Sequence, residues 1–148
     1  SVSFITINNM IAPLNPTQMN NARLESLFRE MDTDVEGEPG YWTFTVVGVS
    51  LICLTDDHHD RMRIISPVSA VGELAPGELE NCMEANFDRA LDARYCVSRE
   101  TLWSAFIHPL GDLSEELLRS GVEQVVNLAR NFGTSYSSGA LVFGGNVE

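Results

Sequence analysis

The chain has 148 residues, 44% of them hydrophobic, which is enough for one domain with a buried core and indicates neither disorder nor a membrane protein. Twenty-one acidic against nine basic residues give a net charge of −12, a surface that repels nucleic acid and anionic lipid and suits basic or amphipathic polypeptide partners. All nine basic residues are arginine, so a lysine Schiff base and a lysine-bearing phosphate loop are excluded by composition.

No apolar run approaches the roughly 18 residues of a spanning helix, and the first ten residues lack the basic start and apolar core of a secretory signal. A cytoplasmic protein is expected. The cysteines, Cys53, Cys82 and Cys96, are odd in number and form no C-x-x-C pair. They read as small buried hydrophobes in a reducing compartment rather than as a disulfide or zinc framework.

Residues 1–14 form an N-terminal arm, with Val2, Phe4, Ile5 and Ile7 as its apolar positions. The first helix is expected to start at Asn15 as N-cap, with Pro16 in the first helical position and Gln18 returning a hydrogen bond. Leu14 and Met19 are spaced as a hydrophobic staple, and Leu24, Leu27, Phe28 and Met31 follow as the buried stripe. Acidic, glycine-rich residues 32–40 read as the exit from this helix.

Residues 41–55 are β-rich, with Trp42, Phe44 and Val46 alternating with Thr43 and Thr45. Gly48 divides the run into two strands, although Val47-Gly48-Val49-Ser50 is a weak hairpin signal. The polar loop Asp56-Asp57-His58-His59-Asp60 precedes a third strand over 61–71, where Pro67 calls for a sheet edge or a bulge. A second helix over 78–91 is assigned the apolar face Leu79, Cys82, Met83, Phe87 and Ala90, with Asn86 on the same side. That amide must find partners, and fastening the helix to a neighbouring backbone is the simplest way to supply them.

Residues 93–97 and 102–108 make a hairpin across Ser98-Arg99-Glu100-Thr101. Trp103, Ala105 and Ile107 fall on one side of its second arm, Leu102 and Phe106 on the other. Asp112-Leu113-Ser114-Glu115 starts the last helix, whose stripe is Leu118, Val122, Val125, Ala129 and Phe132 and whose left-handed cap is Gly133. Gly121 inside that helix points to a close approach by a neighbour. A Gly/Ser-rich tail, 134–148, carries the apolar island Leu141-Val142-Phe143.

The element order is therefore α-β-β-β-α-β-β-α: an α+β fold with an antiparallel sheet of about five strands and helices packed on it. Catalytic signatures are missing from it. There is no Gly-x-Ser-x-Gly elbow and no H-E-x-x-H. His58, His59 and Asp60 are of metal-ligating type, but five neighbours in one tight turn diverge, so a solvated loop is the better reading and no metal is assigned. If helices cover one sheet face only, the other face is left to bury itself in a dimer or to clasp a peptide. Trp42, Phe44, Trp103 and Phe106 are the candidate partner contacts.

The run Leu79-Glu80-Asn81-Cys82-Met83-Glu84-Ala85-Asn86, the hairpin after it, Pro109-Leu110 and the helix over 113–132 resemble the type III secretion chaperone-like fold. They are similar in particular to YbjN-like sensory-transduction-regulator domains and class I (CesT/Tir-type) chaperones. The resemblance implies one α+β domain over 1–148, without enzymatic activity or cofactor, cytoplasmic, homodimeric and binding a secreted or regulatory polypeptide. Family chaperones hold an extended segment against apolar patches of the sheet. A small-ligand-binding regulatory domain is the alternative function.

Overall fold

The structure is a computed structural model that describes residues 18–139. The readings made on the N-terminal arm, on Leu14, Asn15 and Pro16, and on Leu141-Val142-Phe143 lie outside the described residues.

Helix α1 spans Asn21–Met31, five residues later than its expected start. Its cap is Asn20, held extended (φ −156°, ψ 176°), whose side chain accepts a hydrogen bond from the Arg23 N–H at 2.9 Å. An asparagine there satisfies one of the orphan donors of the first turn, so the local chemistry foreseen for Asn15 operates at Asn20. Leu24, Leu27 and Phe28 are the buried stripe.

Six antiparallel strands follow: β1 Glu36–Glu38, β2 Tyr41–Val46, β3 Val49–Asp56, β4 Arg61–Ala70, β5 Arg94–Ser98 and β6 Thr101–Pro109. They form one sheet in the order β1-β2-β3-β4-β6-β5. β1 is the strand that sequence did not disclose. All three of its residues are exposed, so no apolar alternation marks it, and it exists by pairing with β2 through Glu36↔Thr43 and Glu38↔Tyr41. At Gly37 (φ 126°) a Cβ would stand 2.1 Å from the Tyr41 carbonyl oxygen, so only glycine fits.

β2 and β3 are separate strands, joined by Val47 and Gly48 with φ of 52° and 78°, the geometry of a two-residue type I′ turn. Arg99 and Glu100 close the β5–β6 hairpin with φ of 51° and 65°. Pro67 sits past the last β3–β4 pair, Ile52↔Ile65, and at a register shift between β4 and β6, so both conditions that a strand proline requires are met.

Helices α2 (Glu78–Asp88) and α3 (Glu115–Asn131) complete the order α-β-β-β-β-α-β-β-α. α3 starts where expected, with the Ser114 hydroxyl accepting from the Leu117 N–H at 3.0 Å, and Gly133 follows it in the left-handed region at φ 85°. α1 and α3 lie on the sheet face of Trp42, Phe44, Leu51, Cys53, Ile64 and Phe106, all buried. Phe28 stacks on Phe44 with ring centroids 4.4 Å apart, and Gly121 lets α3 settle onto Phe106.

The start of the tail is built into this layer. Ser138 donates its backbone N–H to the Arg89 carbonyl at 3.0 Å, and its own carbonyl accepts from Asn127 Nδ2 at 3.0 Å. The Ser138 hydroxyl in turn accepts from the Leu91 N–H. Residues 134–139 therefore tie the end of α2 to α3.

Candidate polypeptide-docking surface

Strand parity decides which side chains a partner can reach. Trp42, Phe44 and Phe106, three of the four expected contacts, are 1–3% exposed and point into the helix-covered face. They are core residues, and the expectation that they touch a partner is corrected by that burial. Trp42 donates its indole N–H to Glu25 Oε1 of α1 at 3.1 Å, which fixes it further. Trp103 has the opposite parity and is half-buried on the other face, its indole N–H donated to the Ser98 carbonyl at 3.3 Å.

That other face is built from paired rows. Thr43, Ile52, Ile65 and Ala105 form one row; Tyr41, Leu54, Arg63 and Ile107 form the next; Pro67, Trp103 and Cys96 extend it toward β5. Directly opposed residues on neighbouring strands share a face and pack together. Ile52, Leu54, Ile65 and Trp103 are half-buried, and Tyr41 and Ile107 are each 49% exposed. The result is a broad, mainly apolar surface uncovered by the described helices.

A second apolar surface lies on α2. The sequence placed Leu79, Met83 and Phe87 inward with Cys82, whereas in the structure they point outward, Phe87 at 88% exposure. Only Cys82 and Ala85 of the helix are buried. Their small side chains let α2 close on β5, where Asn86 bonds both main-chain groups of Tyr95, as its position on the inner side requires. The helix thus has apolar residues around too wide an arc for one packing face. That width was the available signal for an outward stripe.

The remaining sequence candidates are accounted for by local structure. His59 Nδ1 lies 2.8 Å from Asp56 Oδ2, and this contact holds the Asp56 carboxyl below the usual carboxylate range. Asp60 accepts the Gly111 N–H at 2.8 Å, pinning the β3–β4 loop to the segment before α3. No cluster of three metal-ligating side chains occurs among the described residues. The cysteines are free thiols. Burial, with help from Glu78, pushes Cys82 up to about 11, and burial raises Cys53 further still. Among the described residues no helix is long and apolar enough to cross a membrane.

No protein-family model matches the chain, and no curated protein matches it in sequence. Solved structures do match. The HopA1–SchA chaperone–effector complex aligns with a TM-score of 0.54 at 12% identity, covering 81% of this chain and 98% of that one. The ExsC–ExsE complex gives 0.55 at 12% identity over 75% and 92%. The Yersinia pestis type III secretion chaperone SycH, in complex with a stable fragment of YscM2, gives 0.53 at 16% identity over 73% and 98%. With α1 and α3 on one face of a six-stranded antiparallel sheet and α2 clamped to its β5 edge, the chain has the type III secretion chaperone-like fold.

Proposed function

We propose that this protein is a non-enzymatic, chaperone-like adaptor that binds a polypeptide in the cytoplasm and works as a homodimer. The observation that carries the polypeptide-binding part is the uncovered sheet face, where Ile52, Ile65, Trp103 and Ile107 form a continuous apolar area on a rigid support. An apolar area of this composition on one side of a sheet suits a polypeptide partner. Two of the similar structures are chaperones solved with a bound polypeptide, in line with this reading. It fits a secretion chaperone and a YbjN-like regulator alike, because both roles need the same grip.

The dimer is assigned to the outer stripe of α2. Leu79, Met83 and Phe87 are spaced at i, i+4 and i+8, a pattern that is its own complement about Met83. Antiparallel packing around a two-fold axis there places Leu79 of one copy beside Phe87 of the other.

Two measurements test the proposal. A pull-down from the native cell returns a defined polypeptide with the wild type and loses it with Trp103→Glu. Recovery of the same polypeptide by that variant counts against the sheet face. Light scattering at tens of micromolar gives twice the 16.3 kDa chain mass, and Phe87→Glu halves it. A wild type that stays at the chain mass removes the dimer.

A further inference from the structure

The net charge of −12 favours basic partners, yet the sheet face left open by the described helices has an arginine, Arg63, among its central apolar rows. Three of the nine arginines, Arg61, Arg63 and Arg94, stand on it by strand parity. Arg61 is opposite Asp56 in the β3–β4 register. Arg94 donates to the Leu91 and Ala93 carbonyls at the β5 edge. Arg63 is different: its cross-strand neighbours are Leu54 and Ile107, both apolar, and its side chain is exposed.

The carboxylates near this face gather toward β1, where Asp32, Asp34 and Glu36 line a cavity with Thr43, Ile52 and Pro67, and at the β3–β4 turn, where Asp56 is opposite Arg61. Glu38 shares the row of Arg63 but sits three strands away, about 14 Å at ~4.8 Å per strand. Over that distance, beyond the roughly 8 Å screening length at physiological salt, its charge does little for Arg63. The Arg63 charge does reach inward to Cys96, where it offsets part of the rise that burial imposes on that thiol. Arg63 is flanked by Leu54, Ile65 and Ile107, and Asp56, the carboxylate diagonal to it, is already held by His59; an arginine so placed can receive a carboxylate in bidentate fashion beside apolar groups that exclude water.

We infer that the uncovered sheet face selects an acidic-apolar polypeptide segment, one whose aspartate or glutamate residues flank large apolar side chains, with the carboxylates seated on Arg63 and toward Arg94. This rests on the polypeptide-binding reading above and reverses the preference that net charge alone implies.

The probes are two capped synthetic peptides, identical except that the residues flanking their leucines are glutamate in one and lysine in the other. Binding is read from tryptophan emission, which reports on half-exposed Trp103 because Trp42 is sealed in the core. The glutamate peptide is expected to bind about tenfold more tightly at low salt, with the margin shrinking as salt is raised. Arg63→Glu is expected to reverse the order, and Arg63→Gln to abolish the margin, with unchanged far-UV spectra. A lysine peptide that binds wild type as tightly as the glutamate peptide, or an order unmoved by Arg63→Glu, overturns the charge assignment and leaves polypeptide binding standing. If neither peptide binds, both readings fall.

Discussion

Asn86 bonds Tyr95 as a neighbouring strand would: its Nδ2 donates to the Tyr95 carbonyl at 2.9 Å, and its Oδ1 accepts the Tyr95 N–H at 2.8 Å. One side chain of α2 thereby satisfies two main-chain groups on the outer edge of β5, while the Tyr95 hydroxyl reaches the Leu128 carbonyl of α3 at 2.6 Å. Asn86→Ala removes both bonds and strands two polar groups, so a loss of about 2–3 kcal/mol is expected in urea unfolding. Asn86→Asp does not rescue it, because a carboxylate cannot donate to the Tyr95 carbonyl. Hydrogen exchange at the Tyr95 amide should quicken in both variants.

Gly121 is the point of closest approach between α3 and the sheet. A Cβ there would lie 2.8 Å from Phe106 Cδ2, and that ring is buried and stacked on His108 with centroids 5.8 Å apart. Gly121→Ala gains about 1 kcal/mol of helix propensity but forces overpacking that costs about 1–3 kcal/mol. The expected net result is a lower unfolding midpoint. Phe106→Leu in the same background should recover part of the loss, which a double-mutant cycle reads directly.

Val47 holds φ at 52° although it is β-branched and 68% exposed, so it bears backbone strain with little burial in return. Val47→Asn places a residue suited to the first central position of a type I′ turn. A gain of about 1 kcal/mol is expected, seen as a thermal midpoint higher by a few degrees.

Glu25 links acid stability to the core. Its carboxylate accepts the Trp42 indole N–H at 3.1 Å and an Arg29 N–H at 3.1 Å; the Trp42 bond first, and Arg29 second, hold it below its ordinary value of 4.5. A carboxyl depressed in the folded state stabilises fully above its unfolded pKa, and that contribution is lost as pH falls through the folded one. The stability difference between wild type and Glu25→Gln should therefore be constant near neutrality and shrink as pH drops below about 4.5. Chemical denaturation across that range measures it.

Much of this architecture was legible in the chain because local signals agreed with one another. Ser114 and Gly133 bound an apolar stripe of helical period, and the opposite parity of Trp103 and Phe106 follows from strand alternation alone. Asn86 is legible as a fastener because an amide on an inner helix face must find partners. Parity alone, however, does not say which sheet face meets the helices. That choice is made by how α1 and α3 pack back onto the sheet, which strand alternation does not encode, and it puts Trp42, Phe44 and Phe106 in the core. The burial sense of α2 is hidden for a related reason: hydrophobicity points the large apolar residues inward, whereas close packing against β5 needs the small Cys82 and Ala85. β1 has no pattern of its own and is specified entirely by its partner strand.

β1 also guards the sheet. It ends one margin after three residues, two of them glutamates, and at the opposite margin Asn86 already occupies the main-chain groups of Tyr95. Short, charged or side-chain-capped margins discourage a foreign strand from extending the ladder. An apolar sheet face can then stand open without its rims becoming seeds for ribbon growth, which lets a sticky surface be kept at high concentration without forming a fibre.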